Sequence, residues 1–451
     1  MKTMKQSLAA VLAVIMLLAA CGTAAAEQEA RRMDTAADAE EWVATLLGDH
    51  PEELDTGWLT TQQLKDALAP AGGMAGFAIQ AKALGAPEKI GPATEGKLQG
   101  YITFSVPCAF PVNPLDLILV VQDGAIAGIQ FGAYTGGNEE AGQASAAYDS
   151  IELALPVPSL GELPGTLTVP KGEGPFPAVI LLQGSGSSDR DETIGSLKPF
   201  RDIAEGLTEQ GVAVYRFDKR SYVYGVELAG NKQITLADEY LEDAVNAVQL
   251  VSKQERIDPD RIFVLGHSLG GNAIPAIARE LEKAPVKARG FIMLAASPRP
   301  LDVLVREQYE FLYSLLPEIT EEQQAEKDVV FAELDKLKDM DALTEDDTVM
   351  GVYASYWKWL AAYDILQAAD EISRPVLLLQ GEEDYQVTMT DFGLWKEAVG
   401  GKDNWQLKSY PGLTHLFTEG KKAEGSAAYS GDKKTDARVI LDIAEFVNGI
   451  K

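Results

Sequence analysis

Cysteine and histidine are both scarce in this 451-residue chain, which has two of the first and three of the second. Two cysteines exclude a disulfide-rich scaffold. Histidines at 50, 267 and 415 leave little material for a His-based metal site, and no metal or cofactor is expected. Basic residues are outnumbered, 39 against 68 acidic ones, for a net charge of −29. That balance excludes an ordinary nucleic-acid binder, because phosphate binding needs clustered cations. It also argues against a basic helix lying on anionic lipid. Beyond residue 20 there is no run of 18 uncharged apolar residues, so no spanning helix is expected in the mature chain.

What is present is globular material. Hydrophobic residues make up 46% and charged residues 24%, which excludes a long disordered chain. The length suggests two or three domains at roughly 150 residues each.

The N-terminus reads as an address. Lys2 and Lys5 precede an apolar run over 8–20, the length of a signal-peptide core and too short to span a bilayer. Leu18-Ala19-Ala20-Cys21-Gly22 follows and resembles the bacterial lipoprotein signal, in which the cysteine is acylated and becomes the mature N-terminus. This implies a signal peptide over 1–20, lipidation at Cys21, a tether over 21–30, and an extracytoplasmic protein anchored in a membrane, at the cell surface or in the periplasm. The alternative is a plain secretory signal cleaved near 24–26. With Cys21 lipidated, Cys108 is the single thiol, and it reads as a small buried hydrophobe.

Residues 31–140 read as a small α+β domain. Helical spacing runs over 39–47 and 60–69, and strand-like runs over 75–83, 98–106, 115–122 and 125–131. The last two flank Asp123-Gly124, a strong hairpin signal. A Gly- and Ala-rich stretch then ends in a linker over 141–150. From 151 to 451 the pattern is α/β. Apolar runs over 178–182, 212–217, 262–265, 291–295, 375–380 and 405–409 alternate with helical segments over 200–210, 236–251, 272–283 and 434–448. Continuous apolar strands between helices predict a parallel sheet buried on both faces. Residues 297–372 interrupt the alternation as a helical lid insertion. Between Asp302 and Asp347 there are 15 acidic and 4 basic residues, while Leu301, Leu304, Val305, Leu312, Leu315 and Leu316 keep one apolar stripe. The reading is a buried apolar face and an acidic exterior that disfavours anionic substrates. The lid also carries Tyr309, Phe311, Tyr313, Phe331, Tyr353, Tyr356, Trp357 and Trp359, of which one or two are expected to line the site.

The most informative stretch is Ile262-Phe263-Val264-Leu265-Gly266-His267-Ser268-Leu269-Gly270-Gly271. An apolar strand, a Gly-x-Ser-x-Gly turn and a helix follow in the order that projects a serine hydroxyl above a sheet. Serine needs a base. His50 sits beside Pro51 in the small domain, and His267 points away from its neighbour at 268. His415, after the strand at 405–409, is left as the base. Asp384, in the acidic loop after the strand at 375–380, is the candidate that orients it. Glu382 and Glu383 come earlier on that loop and are expected to face water. The backbone N–H of Leu269, next to the nucleophile, and that of Ser185, in Gln183-Gly184-Ser185-Gly186, are the candidate oxyanion donors, with Gly186 second to Ser185.

Residues 151–451 resemble the serine α/β-hydrolases, within them the bacterial acyl-esterase branch related to dienelactone hydrolases and prolyl-oligopeptidase-type catalytic domains. The resemblance rests on the loop 183–192, on Tyr215-Arg216-Phe217-Asp218-Lys219-Arg220, on the Ser268 turn, and on the Asp384 and His415 segments. The leading domain resembles one of unknown function placed ahead of some bacterial α/β-hydrolases. Family members usually carry His where this chain has Gln183. The resemblance implies a carboxylic-ester hydrolase acting on a small acyl ester through a Ser-His-Asp triad. A serine peptidase or acyltransferase with the same triad, and a non-catalytic binding lipoprotein, stay open as alternatives.

Overall fold

The computed structural model describes residues 30–48, 50–68, 74, 77–78, 86–87, 89–98, 101–110, 115–133, 148–225, 228 and 230–450. Cys21 and the expected signal peptide, the tether up to residue 29, and residues 134–147 lie outside them. The chain divides into two compact units, the first of 1–141 with the short segments 194–196 and 430–432, the second of the remainder.

In the first unit, helix α1 (Ala36–Leu47) starts at a reciprocal cap between Thr35 and Asp38 and buries Ala39, Trp42, Val43 and Leu46, one face of a helix. A second helix, α2, covers Gln62–Leu68. Four antiparallel strands follow in spatial order, β1 (Thr94–Leu98), β2 (Tyr101–Cys108), β3 (Leu115–Gln122) and β4 (Ala125–Ala133). Asp123 and Gly124 both take positive φ, as a two-residue type I′ hairpin demands. The strand expected over 75–83 is corrected: Phe77 and Ala78 are helical. Ala78 and Met74 both enter the core of this unit, an i, i+4 pair hidden inside a short apolar run that fits either structure. Cys108 is fully buried, and burial pushes its thiol up to about 12.

The second unit is built on an eight-stranded sheet. Strands β5 (Tyr148–Glu152) and β8 (Gly165–Pro170) are antiparallel. A separate small ladder joins β6 (Leu155–Val157) to β7 (Gly161–Leu163). Then come β9 (Phe176–Leu182), β10 (Ala213–Phe217), β11 (Ile257–His267) and β12 (Gly290–Leu294). Past a two-stranded hairpin of β13 (Thr348–Val349) and β14 (Val352–Tyr353), the sheet resumes with β15 (Val376–Gly381) and β16 (Trp405–Tyr410). The spatial order is β16-β15-β12-β11-β9-β10-β8-β5, and every pairing from β10 to β16 is parallel. Alternate residues feed two cores: Ala178, Ile180, Ile262 and Val264 on one face, Val179, Leu181, Phe263 and Leu265 on the other. The expected linker over 141–150 ends early, because Tyr148, Asp149 and Ser150 already pair with β8, and Asp149 bridges Lys171 and Arg256.

Helices α3 (Pro199–Glu209), α4 (Leu236–Val251) and α5 (Leu269–Leu281) fill the crossovers. Between β12 and β15 the chain leaves the sheet for α6 (Leu301–Ser314), α7 (Glu321–Asp335), α8 (Ala354–Ala362) and α9 (Ile365–Asp370). Helices α10 (Met389–Val399) and α11 (Ala437–Gly449) complete the layers. The strands' carboxyl ends gather the β9, β11, β15 and β16 loops at one rim, where parallel sheets place their sites. No described helix is long and apolar enough to cross a membrane.

Helix α5 begins at Leu269, three residues before the start expected from the sequence. Gly270 and Gly271 hid this, because glycine is a poor helix former. Here it is required: a Cβ on Gly270 would lie 2.5 Å from the Gln183 and Leu182 oxygens, and one on Gly266 would lie 2.2 Å from the Gly270 oxygen. The Gly266→Ala variant should therefore lose about 3 kcal/mol, at the upper end of overpacking costs. Urea denaturation measures this, and an unchanged midpoint would contradict the geometry.

Candidate active site

Ser268 is the N-cap of α5, with φ 52° and ψ −118°. Left-handed backbone is costly for a residue with a Cβ and marks a held conformation. Its N–H donates to the Leu294 oxygen of β12 at 2.8 Å, and its oxygen accepts from Asn272 at 2.9 Å. The turn is thus tied to the neighbouring strand and to its own helix. Leu269 N–H is a first-turn donor with no intrahelical acceptor, at the positive end of the helix dipole.

His415 and Asp384 come together from adjacent strand ends. His415 Nδ1 lies 2.6 Å from Asp384 Oδ2. Asp384 is buried, yet every lone-pair direction has a donor: Gln386 N–H at 2.7 Å and Val387 N–H at 3.0 Å on Oδ1, and the Gln380 amide at 3.1 Å on Oδ2. With Nδ1 committed to the carboxylate, Nε2 is the nitrogen left for proton exchange. Glu382 accepts from the Ser409 hydroxyl, and Glu383 accepts from the Lys422 N–H, so both brace the loop rather than simply face water. His50 is solvent-exposed in the first unit.

The loop after β9 is pinned from below. Lys219 is almost fully buried and donates to the Gly184 oxygen at 2.6 Å, the Gly186 oxygen at 3.0 Å and the Tyr240 hydroxyl at 2.7 Å. Its charge is met by Glu239 at 2.9 Å. Tyr240, whose burial holds its phenol well above 10, donates to the carbonyls of Gln183 and Gly184. In a trans peptide the C=O and the following N–H point opposite ways. Carbonyls held down towards Lys219 therefore turn the Ser185 and Ser187 N–H groups upward. Ser185 is exposed at that surface, and a Cβ on Gly184 would lie 3.1 Å from the Ser268 Cβ, so the loop borders the nucleophile. Gln183 donates from its side chain to the Phe217 and Asp189 oxygens, a bracing role open to an amide. Asp189 receives the Thr193 and Asp191 N–H groups, Arg190 grips Asp218, and Arg216 grips Asp191.

The residues inserted between β12 and β15 reach this rim. Phe311 on α6 stacks on Tyr385, 5.4 Å between centroids, and Gln308 donates to the Gln386 oxygen at 3.1 Å. On α8 the Tyr356 hydroxyl donates to Glu239 at 2.5 Å. A cavity of about 400 Å³ opens between these helices and the start of α5, lined by Leu269, Leu301, Trp357, Leu360 and Tyr363 among others. Of the aromatics singled out in the sequence, Trp357 lines it, whereas Tyr363 was not among them. Lys219, Tyr240, Glu239 and Glu192 were also missed as parts of the site. The first sits in the Asp218-Lys219-Arg220 run that carried the resemblance, which was the available signal. Among the described residues, no cluster of three or more His, Cys, Asp or Glu could hold a metal.

A serine held at positive φ between a strand and a helix, on a mostly parallel sheet whose rim also carries a His–Asp pair, is the arrangement of a serine α/β-hydrolase. Residues 194–421, just over half of the chain, match the family described as serine aminopeptidase, S33, and the chain belongs to that family. It is similar to Esterase EstD of Thermotoga maritima, 38% identical over 286 residues, 63% of this chain and 65% of that protein. It is also similar to the 2,6-dihydropseudooxynicotine hydrolase of Paenarthrobacter nicotinovorans, 34% identical over 110 residues, 24% of this chain and 26% of that one. The chain thus spans just under two thirds of the first relative's length and about a quarter of the second's. Among solved structures, Est1E from Butyrivibrio proteoclasticus aligns at 17% identity and a TM-score of 0.42, over 66% of this chain and 98% of its own.

Removing the ammonium in Lys219→Met leaves Glu239 without its cation and takes a donor from the Gly184 and Gly186 carbonyls. Breaking a buried ion pair from one side costs about 3 kcal/mol or more. Guanidinium unfolding of this variant should show that loss, and a loss below about 1 kcal/mol would mean the loop does not depend on Lys219.

Proposed function

We propose that the protein is a carboxylic-ester hydrolase that works through an acyl-enzyme, with Ser268, His415 and Asp384 as its triad. The observation that carries this reading is the 2.6 Å contact of His415 Nδ1 with a fully hydrogen-bonded, buried Asp384, taken with a serine held at positive φ on the turn after β11. Ser268 Oγ attacks the ester carbonyl as His415 Nε2 takes its proton. Leu269 and Ser185 N–H groups receive the oxyanion. His415 then protonates the leaving alcohol, and water repeats the sequence to free the acid. The acyl group enters the cavity beside Leu269. Similarity to an esterase supports an ester as substrate.

The family's description favours a second reading, cleavage of an N-terminal amide, and Asp302 and Asp364 at the cavity offer acceptors for an ammonium group. A panel of p-nitrophenyl esters of rising acyl length against aminoacyl p-nitroanilides separates the two. Esters are expected to be turned over far faster, more so at hexanoyl than at acetyl, and Ser268→Ala should lower the rate at least about 10⁴-fold. Faster anilide turnover would reverse the assignment, and an active Ser268→Ala variant would remove the triad.

We also propose that Cys21 carries a lipid that anchors the enzyme outside the cytoplasm, on the strength of Leu18-Ala19-Ala20-Cys21-Gly22 alone. Metabolic labelling with an alkyne fatty acid in a bacterial host should mark the full chain and not Cys21→Ser, which should leave the membrane fraction. Equal labelling of both proteins would exclude the anchor.

A further inference from the structure

His267 has no part in the triad, yet it lies between the two loops that carry the triad's partners. It is 4% exposed. Its Nε2 lies 3.0 Å from the backbone oxygen of His415, which can only accept. Its Nδ1 lies 2.9 Å from Glu192 Oε1, and that oxygen also receives the Gly184 N–H at 2.6 Å. A neutral imidazole has one N–H and would turn the lone pair of its other nitrogen on one of these two acceptors, oxygen lone pair against nitrogen lone pair. Glu192 itself sits at φ 53°, a backbone cost accepted where surrounding structure holds it. Its carboxylate is thereby placed under Gly184 rather than in water.

We propose that His267 is an imidazolium at neutral pH and that the buried His267–Glu192 pair is a positioning brace, clamping the oxyanion loop at Gly184 to the base loop at the His415 carbonyl. The functional part rests on the triad reading above, whereas the charge state of His267 does not.

The groups facing His267 support this. Burial opposes its charge, but Glu192 by charge and hydrogen bond, the His415 carbonyl, and Asp384 at longer range together hold it above the ordinary 6.5. The Phe200 ring approaches edge-on at 6.5 Å and adds no titrating group. The His415 ring lies 4.7 Å from that of His267. An unpaired cation there would oppose the second imidazolium that forms on His415 during proton transfer. Glu192 cancels that repulsion, so the brace positions the base without disabling it.

Three histidines make the test simple. In ¹⁵N-histidine-labelled full-length protein, His267→Gln and His415→Gln assign the ring signals. Wild-type His267 should show two closely spaced, protonated-type nitrogens and keep them as pH rises past 6.5, where a free histidine loses its proton. Glu192→Gln offers no carboxylate, so His267 should fall to the widely split pattern of a neutral ring. Its kcat for a p-nitrophenyl ester should drop about tenfold or more, the cost of a misplaced catalytic group, with KM changed less than about twofold. A neutral pattern for wild-type His267 at pH 6 overturns the proposal, and so does a Glu192→Gln variant that keeps wild-type kcat. If Glu192→Gln fails to fold, the wild-type titration decides alone. Failure of Ser268 to take a fluorophosphonate label would sink the triad reading while leaving the His267 signals unchanged, so the two failures are distinguishable.

Discussion

The rim of the sheet depends on backbone meeting backbone without side chains between. Gly266 faces the Gly270 oxygen, and Gly270 faces the Leu182 and Gln183 oxygens, at separations no Cβ tolerates. That closeness brings the β9 loop against the β11 turn. It forces Ser268 into left-handed backbone and sets the start of α5 at its side. Gly381, whose Cβ would lie 2.4 Å from the Thr414 oxygen, does the same for the loops of Asp384 and His415. In both places two neighbouring strands meet through a glycine at their carboxyl ends.

Charge is then used for orientation. The buried Lys219 turns carbonyls inward and so turns N–H groups outward. Arg190 and Arg216 hold the same loop from its outer side through Asp218 and Asp191. Buried ions are costly unless paired and hydrogen-bonded, and here each cation meets a carboxylate within the unit that buries it. The strong acidity of the chain is separate from this. Part of it lies in the segment between β12 and β15, where Glu318, Glu321 and Asp341 face solvent.

The parts of the fold readable in sequence were those with a long period or a unique residue. The parallel strands stood out as uninterrupted apolar runs. Ser268 as a candidate came from strand, turn and helix in order, and His415 as a candidate from the scarcity of alternatives. The parts that Lys219, Glu192 and Tyr240 play were not readable, although the first two fall in segments that carried the resemblance, because they act through atoms far along the chain. Gly184 and Lys219 are separated by 35 residues, and Glu192 and His267 by 75. His267 was legible as a residue pointing away from Ser268, but what it points at depends on two loops that only the folded sheet assembles. The segment over 75–83 failed for the opposite reason: a short apolar run carries too little period to choose helix over strand.

Tyr356 lies on α8, Glu239 on α4, Lys219 after β10 and Gly184 after β9, and each hydrogen-bonds or pairs with the next. The helices inserted between β12 and β15 and the loop after β9 are therefore joined by one continuous polar relay. An insertion transplanted from a relative without a hydroxyl at 356 would strip Glu239 of a donor and loosen the ion on which the loop is seated. For this molecule the insertion and the β9 loop are not separately adjustable, and a lineage that remodels the one has to carry residue 356 along or rebuild the seat beneath Gly184.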